Sequence, residues 1–341
     1  MDPAKLQDLA NELEVYFSRD SRFVYRQPVA AGGFGSTHRV QYIYANNGMW
    51  DVADFLVKVA YDDQEALASM QAERGHLKLL RGGMHIAQIL NIADDPLKNS
   101  GLQGDWLMLE WLPNGTLEAF IRKARDQGVT RLPNRLLWRF LLCFVRACCG
   151  MAWPRNRQDG MLELELPKPG IEPIGFLHND FHAGNGDFAP GEHAFTPNLK
   201  LIDFGNSDVT DEELIDVAKE QNLWDVGKLM MQLISLDLST KEGPAANPGT
   251  VHYLGENIET RANAIFPEDP GAVVPFPWLD NWLRTLIGLF MAVDSERLPD
   301  LQSLSSWVPY AVVERTAGFY GLYEESDYTI RELCRRIILD P

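Results

Sequence analysis

The sequence predicts an α+β protein in which a small, strand-rich N-terminal lobe precedes a larger, mostly helical lobe. From Ser21 to Tyr61, alternating Val, Tyr, Phe and Thr residues with Gly and Asn-Asn-Gly punctuation indicate antiparallel strands. The next stretch, DDQEALASMQAERGHLKLL, has apolar residues at helical spacing and predicts one helix within this lobe. Beyond Pro113, most apolar segments have helical periodicity. With 341 residues, the chain is long enough for two such lobes.

The predicted elements divide the chain into an acidic helical extension, a strand-rich lobe and a helical lobe, at residues 1–22, 23–112 and 113–341. In the strand-rich lobe, HIAQILNI and DWLMLEWL are expected to be strands. In the helical lobe, helices are expected in GTLEAFIRKARD, PNRLLWRFLLCFVRACCGMAW, QNLWDVGKLMMQLISL, PWLDNWLRTLIGLFMAV and YTIRELCRRIIL. A proline- and charge-rich loop is predicted as an insertion at about residues 154–173, and STKEGPAANPGT predicts a second loop.

The composition narrows the class of protein. The formal net charge is −17 and the pI about 4.8, which argue against nucleic acid as a main partner and leave basic peptides or metal-bound anions as possible ligands. The four cysteines have no paired spacing and are expected to be reduced core residues. No stretch reaches the roughly 20 apolar residues of a membrane span, and no signal-peptide pattern is present. We therefore expect an intracellular protein, cytoplasmic or nuclear, without membrane contact.

A glycine-rich stretch, AAGGFGSTH, lies between the first two predicted strands. Gly32, Gly33 and Gly35 would let the backbone approach a ligand closely, and successive N–H groups there can point at phosphate oxygens. Phe34 would cap the tip of this loop. The alternative is a plain hairpin turn. The stretch is neither a P-loop, because no Gly-Lys-Ser/Thr follows, nor a dinucleotide fingerprint, because a strand rather than a helix follows.

Two charged residues are expected to pair between a strand and a helix. Lys58 lies inside the apolar strand FLVKVAY, where a lysine either extends from a sheet edge or needs an anionic partner. The next helix offers Glu73. A Lys58–Glu73 pair would direct the ammonium towards phosphates under the glycine-rich stretch.

The stretch IGFLHNDFHAGNGDFA has more polar groups than a core strand carries, between apolar flanks. Its spacing H-x-D-x-x-x-x-N, at His178, Asp180 and Asn185, suits a loop in which a carboxylate takes a hydroxyl proton and an amide holds a metal. Shortly afterwards, an apolar strand ends at Asp203, a good position for a Mg²⁺ ligand. A zinc site of His178, His182 and His193 is not favoured, because no thiolate or H-E-x-x-H arrangement supports it.

In this order, these parts resemble the protein-kinase-like superfamily from about Phe23 to about Leu304. The sequence is most similar to divergent kinase-like proteins of fungi, which often carry an insertion before the catalytic loop. LMLEWLPNGTLEAF resembles the kinase hinge, NLWDVGKLMMQLI the buried helix after the activation segment, and LFMAVDSERLPDLQSL the late Asp…Arg-Pro segment. The catalytic-loop stretch DFHAGN is closer to that of aminoglycoside and choline kinases. The resemblance implies a bilobal protein-kinase-like fold that binds ATP and Mg²⁺.

The resemblance also implies a role for each matching residue. The ATP phosphates would be covered and contacted by Gly32, Gly33, Phe34, Gly35 and by Lys58 paired with Glu73. Adenine would contact backbone groups of Glu110 and Leu112, with Leu109 as gatekeeper. Asp180 would deprotonate the acceptor hydroxyl, Asn185 and Asp203 would hold Mg²⁺, His178 would brace the loop, and His182 could bond a phosphate.

Several residues depart from the kinase pattern. Ala30 replaces the first glycine, Asn179 the arginine after the catalytic histidine, and His182 the usual lysine. Only a short acidic stretch, NSDVTDEELIDVAKEQ, separates Gly205 from the buried helix, so the platform for a substrate peptide is expected to be reduced. No A-P-E follows, which leaves Arg297 without its usual glutamate, and Asn222 stands where that helix usually begins with aspartate.

The sequence therefore leaves three functions open. The first is a Ser/Thr protein kinase that transfers the ATP γ-phosphate to a protein hydroxyl. The second is a small-molecule kinase of the aminoglycoside or choline type, favoured by DFHAGN and the reduced platform. The third is a scaffold without catalysis, which is disfavoured because none of Lys58, Glu73, Asp180, Asn185 and Asp203 is missing.

Overall fold

A computed structural model describes residues 3–46, 49–92, 97, 105–189, 196–267 and 272–339. It is a mixed α+β structure in which a four-stranded antiparallel sheet near the N-terminus is followed by a helical region. Helix α1 comes first, at Pro3–Phe17. The sheet has the order β1-β2-β3-β4, with strands at Phe23–Ala31, Gly35–Asn46, Met49–Ala60 and Trp106–Glu110. Helix α2, at Gln64–Leu79, follows β3 and is capped by the Asp63 side chain. The strands and helix predicted for this region are confirmed, apart from one segment described below.

Helix α1 packs directly onto the sheet. Its buried residues Leu13 and Phe17 share one apolar cluster with Phe23 of β1 and with Phe55 and Val57 of β3. Burying each such side chain contributes about 1.5–3 kcal/mol. The amphipathic pattern at the N-terminus therefore serves the core of the sheet.

The helical region contains seven further α-helices among the described residues. These are α3 (Leu117–Asp126), α4 (Asn134–Ala152), α5 (Ile215–Ser235), α6 (Asn281–Phe290), α7 (Leu301–Glu314), α8 (Ala317–Tyr320) and α9 (Asp327–Cys334), the last continuing into a π-helical turn at Arg335–Leu339. Each of the five predicted helices corresponds to one of them. Every residue of α4 is buried, as expected for a helix at the centre of a core. All four cysteines are buried and form no disulfide bond, as predicted.

Three short strand pairs interrupt the helices. They are β5 (Gly175–Leu177) with β8 (Asp208–Thr210), β6 (Gly186–Ala189) with β7 (Asn198–Leu201), and β9 (Gly249–Tyr253) with β10 (Glu256–Thr260). The predicted loop at residues 154–173 has neither helix nor strand. The predicted loop STKEGPAANPGT is irregular up to the start of β9.

The start of α4 is capped from the far end of the chain. Pro133 precedes the helix and supplies no side-chain cap. The buried carboxylate of Glu325 accepts hydrogen bonds from the backbone N–H groups of Asn134 at 2.7 Å and Arg135 at 3.0 Å. A carboxylate at a helix N-terminus satisfies unpaired donors and complements the helix dipole. The segment before α9 is thereby attached to the core.

The expected strand HIAQILNI is wrong. Between His85 and Ile92 only isolated bridges form, from Ile86 to Leu201 and from Ile89 to Leu109. The side-chain amide of Gln88 donates to two backbone carbonyls of its own segment, those of Gly83 and Ile86, and this favours a turn over an extended strand.

Several elements of the helical region were not predicted, among them a strand hairpin and one of the longer helices. Strands β9 and β10 form a hairpin whose turn residues, Leu254 and Gly255, both have positive φ and do not carry an Asn-Gly signal. Helix α7 contains Pro309, which obscures its pattern. The hairpin also changes the expectation for Arg297, whose guanidinium lies 2.7 Å from the carboxylate of Glu256 on β10. Arg297 thus has a glutamate partner, though from a different part of the chain than expected.

Among the described residues, every helix is too short or too polar to traverse a lipid bilayer.

Candidate functional site

Three charged side chains from distant parts of the chain meet near the end of β3. The Nζ atom of Lys58 lies 2.8 Å from Oε2 of Glu73 on α2 and 2.8 Å from Oδ1 of Asp203, which follows β7. The sequence predicts the contact between Lys58 and Glu73, and the structure adds Asp203 to the same ammonium. The Glu73 side chain is 2% exposed, whereas that of Asp203 is 43% exposed. The cluster therefore combines a buried anchor with an accessible carboxylate.

The charges in this cluster favour a cation at Asp203. Burial alone would lower the pKa of Lys58, but the charges of Glu73 and Asp203 raise it above its ordinary value. Burial alone would raise the pKa of Asp203, but Lys58 and a backbone N–H hold it below its ordinary value. Burial and the nearby charge of Asp203 raise the pKa of Glu73, while the Lys58 ammonium opposes this rise. The exposed Asp203 carboxylate is therefore the group of this cluster that is held in its charged form and can attract a cation.

Helix α2 also holds the backbone around Asp203. Asp203 has a φ of 63°, an uncommon conformation for a residue other than glycine. On α2, Nδ1 of His76 donates to the carbonyl of Phe204 at 3.2 Å, and the Ser69 hydroxyl donates to the carbonyl of Gly205 at 3.2 Å. The helix that supplies Glu73 thus fixes residues 203–205 as well.

His178 braces the polar loop from within the core. Its ring is fully buried and packs edge-on against Phe204, with ring centres 4.8 Å apart. Nδ1 accepts from the backbone N–H of Asp180 at 3.3 Å, so Nε2 carries the proton and donates to the carbonyl of Ile202 at 3.1 Å. Burial lowers the pKa of His178 to about 4, so the ring is neutral at physiological pH. This geometry gives His178 a bracing role and no direct part in proton transfer.

Asp180 is the accessible carboxylate of the polar loop. Nδ2 of Asn185 donates to its carbonyl at 3.0 Å and to Oδ2 at 3.2 Å. Nε2 of His182 lies 3.3 Å from Oδ1. Nδ1 of His182 accepts from the N–H of Gly184, which leaves Nε2 as the nitrogen that donates to Asp180. Asp180 is thus oriented from two sides, by Asn185 and by His182.

Two residues of this site could hold a metal ion. Nδ2 of Asn185 faces Asp180, so its amide oxygen is the atom available as a ligand. One oxygen of Asp203 is held by Lys58 while the side chain remains accessible. No group of three or more His, Cys, Asp or Glu forms a ready-made metal site in the described part of the chain. Because Mg²⁺ commonly uses one or two protein oxygens together with phosphates and water, this donor set fits Mg²⁺ bound with a phosphate ligand. His193, the third histidine of the zinc alternative, lies outside the described residues.

The glycine-rich stretch forms the connection between β1 and β2. The N–H of Gly32 donates to the carbonyl of Gly35 at 2.9 Å, and the carbonyl of Phe34 accepts from Tyr61 at 3.0 Å. Phe34 is 38% exposed at the tip of this connection. A Cβ at Gly35 would overlap the carbonyl of Val59, whereas one at Gly32 or Gly33 would meet no atom of the described residues within 4 Å. Gly35 therefore has a structural reason to be glycine, and the described part of the chain gives no such reason for Gly32 and Gly33.

We expect Gly33→Ala to leave the free energy of unfolding within about 0.5 kcal/mol of the wild type. Gly35→Ala should lower it by about 2 kcal/mol, because the added methyl group must displace the β3 backbone. Chemical denaturation of both variants would measure the difference. Equal destabilisation of the two variants would contradict the structural role assigned to Gly35.

The backbone groups predicted to bind a ligand at the end of β4 are partly used within the protein. The N–H of Glu110 donates to the carbonyl of Gln88 at 3.0 Å, so it is not available to a ligand. The Glu110 carboxylate accepts from the Lys200 ammonium at 2.7 Å. Leu112 is buried and lies two residues after the end of the strand.

Three polar residues of this site were not among the predicted site residues. Nδ2 of Asn206 lies 3.4 Å from the Asp180 carboxylate, and the Ser207 hydroxyl donates to the carbonyl of His178 at 3.1 Å. Asn222 accepts from the His178 N–H at 3.2 Å and donates to the carbonyl of Phe176 at 2.7 Å. An aspartate at this position could accept but, when ionised, could not donate. Of these three residues, the sequence singled out only Asn222, which stands where kinases usually have an aspartate.

A cavity of about 440 Å³ opens beside Asp180. Its walls include Asn179, Phe181, Val217, Gln221, Asp225 and Lys228. The Lys228 ammonium lies 2.7 Å from one oxygen of Asp225, and the Gln221 amide donates to the other at 3.2 Å. The interior thus offers a neutral ion pair next to the Asp180 carboxylate. A cavity of this volume accommodates a small molecule or one side chain of a larger partner.

The acidic stretch after Gly205 forms one wall of this cavity. Its first part is strand β8, in which Asp208 lies opposite Leu177 of β5. Helix α5 begins at Ile215, earlier than its apolar pattern predicts, and its first turns contribute Val217 and Gln221 to the wall. The stretch is therefore mostly regular structure that borders Asp180.

Neither a scan with protein-family models nor a search of curated proteins returns a match for this chain.

Proposed function

We propose that this protein is an ATP- and Mg²⁺-dependent phosphotransferase with a bilobal protein-kinase-like fold. The observation that carries the proposal is the contact of Lys58 with both Glu73 and Asp203, each at 2.8 Å, although Asp203 is 145 residues away in the sequence. The order of the motifs along the chain supports the same function. So does the arrangement of a small sheet with one helix, followed by a helical region.

The residues near the sheet would bind the nucleotide. Lys58, held by Glu73, would contact the α- and β-phosphates, and the open backbone at Gly32 and Gly33 would cover them. Of the adenine contacts predicted at the end of β4, the N–H of Glu110 is excluded, because Gln88 already accepts it. Base recognition would therefore use the remaining backbone groups from Glu110 to Leu112.

Asn185 and Asp203 would hold Mg²⁺. The ion supplies neutralisation of the charge on the transferring phosphoryl group. The protein positions the two ligands independently, Asn185 through Asp180 and Asp203 through Lys58. Removing either positioning contact would disturb one ligand while the other stays in place.

Asp180 would take the proton of the acceptor hydroxyl. Its carboxylate faces the cavity and is oriented by Asn185 and His182. A positioned carboxylate of this kind acts as a general base in phosphate transfer to an alcohol. His182 donates to Asp180, and its exposure also allows it to bond a phosphate.

The acceptor we propose is a serine or threonine hydroxyl of a protein. A small hydroxyl compound, as in aminoglycoside or choline kinases, is the second candidate. The cavity beside Asp180 favours the second candidate, because α5 forms one of its walls where an extended peptide platform would otherwise lie. A scaffold without catalysis is disfavoured, since Lys58, Glu73 and Asp203 are assembled in contact.

Binding of Mg²⁺ and ATP is expected to raise the melting temperature of the wild-type protein by several degrees. A ligand present at a hundred times its Kd stabilises the folded state by about 2.7 kcal/mol. Asp203→Ala should lose the Mg²⁺-dependent part of this shift, because it removes a ligand of the ion. Differential scanning fluorimetry with ATP, with and without Mg²⁺, measures it.

Asp211→Ala is the matched control, because Asp211 is exposed on the same segment and its side chain caps no helix. It should respond to Mg²⁺ and ATP like the wild type. Absence of any Mg²⁺–ATP response in the wild type would count against the nucleotide site and favour the scaffold.

A further inference from the structure

One carboxylate of the proline-rich loop (residues 154–173) is fully buried. The loop connects α4 to β5 and has no helix or strand, yet Glu165 at its centre is 0% exposed. Loops usually lie at the surface, and a glutamate is almost never fully buried unless it is paired. The position of Glu165 therefore needs a specific partner.

That partner is a single residue, His85, in the segment after α2. Oε1 of Glu165 accepts from the backbone N–H of His85 at 2.6 Å, and Oε2 lies 2.8 Å from Nδ1 of its ring. The carbonyl of Glu165 accepts from Arg146 on α4 at 3.1 Å. Both carboxylate oxygens are thus used on one residue, and a third contact ties the loop to the helical core.

Two glycines make room for this carboxylate. A Cβ at Gly83 would lie 2.9 Å from Oε1 of Glu165, and one at Gly150 of α4 would lie 2.8 Å from its Cγ. A side chain at either position would displace Glu165. The surrounding chain is therefore shaped around it.

The loop is also hydrogen-bonded along the end of α2. The N–H groups of Asn156, Arg157 and Glu163 donate to carbonyls of Leu79, Arg81 and Gly82, at 3.1, 2.9 and 2.8 Å. These bonds attach the loop to the backbone that leads from α2 to His85.

On its other side, the His85 segment holds β7. The N–H of Leu201 donates to the carbonyl of His85 at 2.9 Å, and the N–H of Ala87 donates to the carbonyl of Leu201 at 2.9 Å. Leu201 is the last residue of β7 and lies two residues before Asp203. A continuous series of contacts therefore runs from Glu165 through His85 and Leu201 to Asp203.

We propose that Glu165 is a positioning residue for Asp203, acting through the His85 segment and β7. The proline-rich loop is then part of the apparatus that sets the metal-binding carboxylate, and not a passive connection between α4 and β5. The consequence for Mg²⁺ rests on the proposed function, whereas the consequence for β7 does not.

Glu165→Gln tests this proposal with a matched control in the same loop. The amide keeps an oxygen that can accept from the backbone N–H of His85. It places an uncharged N–H₂ group, in place of a carboxylate oxygen, beside Nδ1 of the His85 ring. Glu163→Gln makes the same chemical change at a half-exposed side chain, which pairs with Arg155 and Arg157. Hydrogen–deuterium exchange of the peptide covering residues 198–203 is the first readout. It should be accelerated about tenfold in Glu165→Gln and unchanged in Glu163→Gln.

The second readout is the affinity for Mg²⁺ in the presence of ATP, well below the melting temperature of each variant. Glu165→Gln should weaken it about tenfold, as expected when a residue behind a metal ligand is altered. A uniform acceleration that includes the β9–β10 hairpin, with unchanged Mg²⁺ affinity, would make Glu165 a stability residue only and overturn the proposal. If the wild type binds no Mg²⁺–ATP, the proposed function fails. The exchange of residues 198–203 relative to the hairpin then decides the role of Glu165.

Discussion

Asp180→Asn is expected to lower the rate of phosphate transfer from ATP by about a thousandfold, since a positioned general base contributes roughly that much. Asparagine has almost the same shape as aspartate but cannot take the proton of an acceptor hydroxyl. Asn185 and His182 donate to the Asp180 carboxylate, and one oxygen of the replacement amide can still accept. The loop should therefore keep its fold, while its chemistry is lost.

Binding of Mg²⁺ and ATP should survive this substitution, because the amide oxygen of the new asparagine can still accept from Asn185 and so keep that ligand in place. The other ligand, Asp203, is held by Lys58. The thermal response to Mg²⁺–ATP should thus match the wild type while transfer is lost. The measurement is the transfer of labelled phosphate from ATP to an acceptor. The acceptor is a basic protein in one series and an amino alcohol or sugar in another.

Asp208→Asn is the control for Asp180→Asn, because Asp208 is an exposed aspartate on β8 beside the same loop. It should transfer phosphate at the wild-type rate. Transfer by Asp180→Asn at the wild-type rate would exclude Asp180 as the base. Transfer to the small compound alone would favour the second acceptor over a protein.

The stability of the wild-type protein is expected to fall by about 3 kcal/mol between pH 6.5 and pH 9 through His85 alone, at up to ~1.4 kcal/mol per pH unit. Burial alone would lower the pKa of His85, but Cys143 and Glu165 raise it to about 10, from an ordinary value of 6.5. The folded protein therefore binds a proton that the unfolded chain releases in this range. The stabilisation is complete below about pH 6.5 and is lost as the pH rises towards 10.

The double variant His85→Gln/Glu165→Gln replaces the buried ion pair by two amides that do not titrate. Its free energy of unfolding, measured by urea denaturation from pH 6.5 to pH 9, should lack the fall attributed to His85. His252→Gln, at an exposed histidine of β9, should keep the wild-type slope. A parallel fall in the wild type and the double variant would show that other groups cause the pH dependence.

Local sequence patterns were sufficient to predict much of the secondary structure. The alternation of Val, Tyr and Phe predicts β1 to β3, because it matches the period of a strand. Helical spacing predicts α2 and five helices of the helical region, namely α3, α4, α5, α6 and α9. The same approach fails at HIAQILNI, where the side chain of Gln88 bonds the backbone of its own segment. It also fails at β9, β10 and α7, which are short or interrupted by Pro309.

The contacts of the candidate site, too, were only partly predictable from the sequence. A lysine in an apolar strand needs an anion, and this physical requirement predicts the contact of Lys58 with Glu73. No comparable physical requirement identifies Asn206 or Glu165 in the sequence, because a polar side chain in a loop can usually face solvent and needs no protein partner. Only the folded chain determines that Asn206 faces Asp180 and that Glu165 is buried against His85.

The sequence by itself determined most of the longer helices and the first three strands, and the residue types available for a phosphate and a metal ion, since periodicity and chemical type are local properties. The tertiary structure decided which of these residues touch. Asp203 reaches Lys58 across 145 residues, and a loop glutamate reaches the backbone beside β7. Such contacts depend on how the helices pack around α4, and packing is a property of the whole core that no single segment encodes.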